Sequence, residues 1–167
     1  MGEVSGFSAP APLTATHDIA QFDCGRAVLN EWLRTRALKN EGRGGSRTYV
    51  VCEGCRVVAY YAVAAGAVSR ERAPTSLARN RPDPLPVLLI GRLAVDAQHQ
   101  RMRLGAALLK DALQRCLNAS REIGATAILV HALDDEAAAF YAQYGFKPFP
   151  AEPRTLYLPM AWVAKML

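Results

Sequence analysis

The stretch Val87-Leu88-Leu89-Ile90-Gly91-Arg92-Leu93-Ala94-Val95-Asp96-Ala97-Gln98-His99-Gln100-Arg101-Met102-Arg103-Leu104-Gly105-Ala106 passes from an apolar run through a polar loop into a helical repeat. Val87 to Val95 is the most continuous β run of the chain, and its near-unbroken apolarity predicts a central strand covered on both faces. From Leu104 to Asn118 the residues Leu108, Leu109, Ala112, Leu113, Cys116 and Leu117 recur in adjacent pairs every four positions, the pattern of a helix facing a core. The loop between them, Gln98 to Leu104, is short and polar. A helix entered this way points free backbone N–H groups outward, and those donors together with the helix dipole hold a pyrophosphate. The unit therefore reads as a strand, a phosphate cradle and a helix.

Upstream of this unit, a first helix is expected from about Gly25 to Lys39, with Asp23 as N-cap and Val28, Leu29, Trp32, Leu33 and Ala37 on one stripe. The glycine-rich run Gly42 to Ser46 ends it. Thr48 to Cys52 and Arg56 to Ala67 then read as a strand pair turning at Glu53-Gly54, and Pro74 to Pro86, with four prolines, as a loop or short extended arm. Downstream, Ala127 to Ala132 reads as a strand. Asp134-Asp135-Glu136 opens a further helix, because acidic groups offset the positive helix start, and Gly145 closes it. A last strand covers Thr155 to Leu158. The order α, β, β, β, α, β, α, β predicts a mixed sheet with helices on both faces, of α/β or α+β class.

The 167 residues fit one domain spanning the whole chain, and 51% hydrophobic with 21% charged residues is globular composition rather than that of a disordered chain. No apolar run reaches the roughly 18 residues of a membrane span, and the N-terminus lacks the pattern of a secretory signal, so a cytoplasmic address without membrane contact is expected. The net charge of +5 is unevenly spread. Residues 26–56 hold seven basic and three acidic side chains, and residues 70–103 hold seven and three again. Two such windows predict a positive face suited to polyanions such as RNA, DNA or a phosphorylated cofactor. Cys52 and Cys55 form one C-x-x-C, but no second pair and no spaced histidine pair completes a zinc site, so a hairpin turn with reduced thiols is expected and no metal.

Motifs for a P-loop, a dinucleotide fold, a zincin or a hydrolase elbow are absent. What remains are three runs in a fixed order: Gly91 to Asp96, then Gln100 to Ala106, then Phe140-Tyr141-Ala142-Gln143-Tyr144-Gly145-Phe146. Together they resemble the GNAT acetyltransferases. More narrowly, Arg79-Asn80-Arg81-Pro82-Asp83-Pro84-Leu85-Pro86-Val87 and Arg154-Thr155-Leu156-Tyr157-Leu158 resemble the GNAT toxins of bacterial toxin-antitoxin pairs. The likeness covers nearly the whole chain. It implies the GNAT fold, a central mixed sheet flanked by helices. It implies acetyl-CoA as cofactor and the α-amine of aminoacyl-tRNA as acceptor, so that acetylation blocks translation. It also implies a ribbon-helix-helix antitoxin that carries the complex to operator DNA, and a homodimer.

The resemblance assigns the cofactor to Leu93, Ala94 and Val95 of the strand and to Gln100, Arg101, Met102, Arg103, Leu104, Gly105 and Ala106 of the loop. The family loop reads Arg or Gln, any, any, Gly, any, Gly or Ala; here Arg103 replaces the first glycine, and its fork suits phosphate oxygens. Tyr141 is assigned as general acid toward the departing thiolate. A phenol of ordinary pKa near 10 is protonated at pH 7, and an α-amine titrates near 7.7 to 8.0 or lower when ester-linked, so no strong base is demanded. His99 reads as a solvated loop residue and His131 as a satisfied strand-end group. Arg34, Lys39, Arg43, Arg47, Arg79, Arg81 and Arg92 are the expected tRNA contacts. Two other readings compete: a GNAT enzyme acting on a small amine or protein N-terminus, and a GNAT-fold binding module without activity.

Overall fold

The computed structural model describes residues 6–167, with the Arg101 side chain outside the described set. The elements follow in the order β1 (Ala11–Pro12), α1 (Ala27–Thr35), α2 (Ala37–Arg43), β2 (Arg47–Glu53), β3 (Arg56–Val68), α3 (Thr75–Ala78) and β4 (Leu85–Val95). A 3-10 helix (Ala97–Met102), α4 (Leu104–Glu122), β5 (Ala127–His131), α5 (Asp135–Gln143), β6 (Lys147–Phe149), β7 (Glu152–Pro159) and α6 (Met160–Met166) complete the chain. The strands form one mixed sheet in the order β1-β2-β3-β4-β5-β7-β6. β1 with β2, β2 with β3, β5 with β7 and β6 with β7 are antiparallel, while β4 and β5 are parallel from Val87↔Ala127 to Ile90↔Val130. This is the mixed sheet expected from the order of elements.

Two compact units divide the chain: residues up to Ala64 with Arg92–Ala112, and Ala65–Gly91 with Leu113–Leu167. In the first, the core gathers Phe22, Trp32, Leu33, Ala37, Val50, Val57, Tyr60 and Ala94. The stripe predicted for the first helix is thus buried, but the helix breaks at Arg36 (φ −119°), whose N–H still reaches Trp32 O, and restarts at the fully buried Ala37. No glycine or proline marks that break. Asp23 does not cap it either: the N-cap is Arg26, without a side-chain bond, while Asp23 Oδ1 accepts from Gly25 N and Asn30 Nδ2, both at 2.9 Å. Gly54, at φ 63°, makes the tight β2–β3 turn, and the four cysteines are free thiols.

In the second unit Val68, Leu77, Leu85, Val87, Leu129, Phe149 and Tyr157 share a core. Asp134 caps α5, accepting from Ala137 N at 2.8 Å, and the helix closes at Tyr144 with Gly145 beyond it at φ 95°. The prolines after Pro74 do not leave a bare arm, because Thr75–Ala78 form a helical turn that buries Leu77 and Ala78. β4 is the fourth of seven strands, yet it is not covered throughout. Leu88, Leu89, Gly91, Arg92, Leu93 and Val95 are only half-buried, and the strand runs five residues beyond its ladder with β5.

Candidate active site

The cofactor loop is built around one carboxylate. Asp96, 2% exposed, leaves β4 as N-cap of the 3-10 helix: its Oδ1 accepts from Gln98 N at 3.0 Å and stands 3.3 Å from His99 Nδ1. Its Oδ2 accepts from Asp23 N at 3.1 Å and lies 3.6 Å from an Arg56 guanidinium nitrogen. Ala97 N donates in turn to Asp23 O at 2.8 Å, and Asp96 N to Val58 O at 2.8 Å. A buried carboxylate with several donors is stable only while all of them stay in place, so this cluster pins the loop to the segment before α1. His99 is therefore not solvated as the sequence suggested. It is 7% exposed, beside Asp96 and edge-on to Phe7.

Gln100, expected among the cofactor contacts, spends its amide nitrogen on the carbonyls of Cys24 and Val95, each at 3.1 Å. Its role here is to brace the loop. Met102 and Arg103 are exposed, and Leu104 is fully buried as the first anchor of α4. Arg103 adopts φ 60°, ψ 20°, the left-handed conformation that glycine supplies in the family loop. The arginine has thus replaced the glycine without changing the turn. Ala107 N donates to Arg103 O at 3.2 Å, which begins the helical ladder, so the amides of Leu104, Gly105 and Ala106 belong to the helix mouth. Donors at a helix start beside an exposed guanidinium fit a pyrophosphate. On β4, Ala94 is buried while Leu93 and Val95 are half-exposed.

Tyr141 lies on α5 at 6% exposure, with its ring edge-on to Phe140 at 5.3 Å and to Phe146 at 5.5 Å. Burial pushes its phenol above the ordinary tyrosine value, because the phenolate loses water there. Phe146 is buried as expected, and Tyr144 is half-buried.

The basic residues divide between the units. Arg34, Lys39, Arg43 and Arg47 are exposed in the first; Arg34 donates to Phe22 O, and Arg47 to the carbonyls of Glu41 and Ser46. Arg79 and Arg81 are exposed in the second, at and after the end of α3. Arg92 stands apart from these six. It is half-buried, its guanidinium lies 4.4 Å from the Trp32 ring centroid, and desolvation draws its pKa below the usual guanidinium range. The sequence reading missed Asp96 and Asn30 as parts of the loop's support. Asn30 Oδ1 accepts from Cys24 N at 2.9 Å, and the aspartate directly before the polar loop was the available sign of a cap.

Among known proteins, residues 44–148 match the acetyltransferase (GNAT) domain model. A relative from Mycobacterium tuberculosis named tRNA-acetylating toxin is 48% identical over 157 residues, covering 94% of this chain and 95% of the relative. The structure of AtaT complexed with acetyl-methionyl-tRNAfMet is similar at a TM-score of 0.87 and 28% identity, covering 95% of this chain and 98% of that one. A tyrosine-to-phenylalanine mutant of the AtaT toxin, bound to the C-terminus of the antitoxin AtaR and to acetyl-CoA, is similar at a TM-score of 0.83 and 25% identity, covering 96% and 98%.

Proposed function

The chain belongs to the GNAT acetyltransferase family, and from that premise we propose that it is a toxin which moves acetyl from acetyl-CoA to the α-amino group of aminoacyl-tRNA and so blocks translation. The observation that carries this reading is the near full-length likeness to a toxin named for that reaction. The exposed arginines and lysine of the two basic windows support it, since an acceptor that is a polyanion favours such surfaces.

When bound, acetyl-CoA supplies an activated acetyl group and a thiolate that needs a proton. The residues suited to hold its pyrophosphate are those of the α4 mouth and Arg103, kept in place by Asp96 and Gln100. Leu93 and Val95 present half-exposed strand for the rest of the molecule. Tyr141 holds its proton on Oη throughout the neutral range, because burial favours the neutral phenol; it is the general acid of this reading. An ester-linked α-amine is already partly unprotonated near pH 7.

A cognate antitoxin of ribbon-helix-helix type, operator DNA reached through it, a second copy of the chain, and a cytoplasmic setting complete the proposal. The antitoxin-bound AtaT neighbour supports the first of these. The absence, among the described residues, of a helix long and apolar enough to cross a membrane accords with the last. The test is incubation with a pool of charged tRNA and labelled acetyl-CoA. The expected product releases an N-acetyl amino acid when mild base cleaves the ester, with uncharged tRNA unlabelled. Label on uncharged tRNA, or on protein lysines alone, refutes the acceptor.

A further inference from the structure

We propose that His131 is the general base of the transfer, taking a proton from the α-ammonium of the acceptor on Nε2; this rests on the acceptor being an aminoacyl ester. The argument begins with a chain of hydrogen bonds in the second unit. His131 is the last residue of β5 and pairs across the ladder with Thr155 of β7. Its Nδ1 lies 3.2 Å from Thr155 Oγ1, and that hydroxyl donates to Glu152 Oε1 at 3.3 Å. Glu152 is fixed as a carboxylate by Arg72, which donates to its two oxygens at 2.7 and 3.0 Å and holds its pKa below the ordinary range.

The direction of these bonds decides the tautomer. A carboxylate accepts and cannot donate, so the Thr155 proton points at Glu152, and Oγ1 has only a lone pair to offer the imidazole. Nδ1 therefore carries the ring proton, and Nε2 keeps the lone pair of a base. The residue is exposed while its partners are ordered, so the ring is oriented and accessible. Its place in the fold points the same way. Ligands of open α/β sheets bind beyond the carboxyl ends of parallel strands, and His131 ends β5, the parallel partner of β4. The charged groups around it are Glu152 and Arg154 on β7, Arg72 before α3, and Asp134 and Asp135 at the start of α5; Arg154 donates to Asp135 at 3.1 Å.

The protons balance. His131 Nε2 takes one from the α-ammonium and passes it to solvent. As the N–C bond forms and the C–S bond breaks, the nitrogen sheds a second proton, keeping one in the amide. The sulfur takes a proton from Tyr141 Oη, which is restored from solvent.

The test is the pH profile of acetylation of charged tRNA by the full chain between pH 6 and 8.5. His131→Asn retains an N–H for Thr155 but has no basic nitrogen. A general base matters most where the amine is protonated, so turnover is expected to fall about 10- to 100-fold at pH 6, with the deficit shrinking severalfold by pH 8.5. Acetyl-CoA affinity and melting temperature should stay as in the unmodified chain. His131→Ala should be partly rescued by added imidazole, and Thr155→Val should lower turnover less than either. A deficit equal at every pH, or no deficit, overturns the proposal. Labelling of charged tRNA by the unmodified protein is scored first in the same assay. Without it the proposed acceptor fails; with it and a flat profile, His131 fails.

Discussion

Replacing Arg103 by glycine separates two effects that the loop combines. At φ 60° a residue with a Cβ is held in a region costing about 1 to 2 kcal/mol, a cost glycine escapes. Glycine also widens the unfolded ensemble, which opposes the gain by about 0.4 to 1 kcal/mol. Because the side chain is exposed, little packing is lost, and the balance is a stabilisation of about 0.5 to 1 kcal/mol. For a chain of this length that raises the melting temperature by roughly 1 to 4 °C. The guanidinium acts in the opposite sense on the cofactor: losing a charge-assisted contact to the pyrophosphate should weaken acetyl-CoA binding by about 1 to 3 kcal/mol. Thermal melts and isothermal titration with acetyl-CoA read the two effects independently. Arg103→Ala keeps the left-handed residue while removing the charge, so it should weaken binding without raising the melting temperature. An Arg103→Gly protein that melts no higher refutes the strain argument, and unchanged acetyl-CoA affinity places the side chain outside the site.

Tyr141→Phe removes one hydroxyl and keeps the ring packed against Phe140 and Phe146, so folding and acetyl-CoA binding should persist while turnover falls by roughly 10- to 10,000-fold; steady-state kinetics with charged tRNA would retire Tyr141 as the acid if turnover held. Joint replacement of Arg79 and Arg81 by alanine should flatten the salt dependence of tRNA binding and leave acetyl-CoA affinity intact, and a salt slope identical to that of the unmodified chain would remove that segment from the interface. Tyr60 and Tyr141 are buried phenols whose folded pKa values lie above the unfolded value near 10. Their contribution to stability is therefore complete below pH 10 and is lost as pH rises beyond it, which urea titrations at pH 8 and 10.5 should register as a lower midpoint at the higher pH.

Much of the fold was legible because its signals are local. The paired apolar residues of α4 bury Leu108, Leu109, Leu113 and Cys116, and the acidic run at Asp134 does cap α5. The break at Arg36 was illegible because no residue there disfavours a helix; what ends α1 is the need to bury Ala37, which is decided by tertiary packing. β6 contains a proline in three residues, and α6 carries Trp162 and Met166 exposed, so neither has the periodicity that marks an element. At the site, sequence marked Gln100 and Arg103 by position in a motif. It did not reveal that Gln100 bonds to the carbonyl of Cys24, 76 residues away. Nor did apolarity alone disclose that β4 is half-open from Gly91 to Arg92, Leu93 and Val95, since a strand that faces a ligand and one that faces a helix carry the same side chains.

The loop's arginine and its bracing belong to one argument. A non-glycine residue persists in the left-handed region only where its surroundings over-determine it, and here Asp96 and Gln100 do so from one side of the turn while Leu104 anchors the other. If the brace holds the strain, its removal matters more when the strain is present. Gln100→Ala cuts the bonds to the Cys24 and Val95 carbonyls, leaving Arg103 free to relax out of φ 60° and carry the α4 mouth with it. In the Arg103→Gly background the same turn is already comfortable, so the loss of the brace should cost less acetyl-CoA affinity. The coupling between the two changes should reach about 0.5 kcal/mol or more, bounded by the roughly 1 to 2 kcal/mol of the strain itself. A double-mutant cycle on acetyl-CoA affinity measures it. Additivity within about 0.3 kcal/mol would mean that the turn is held by something other than Gln100.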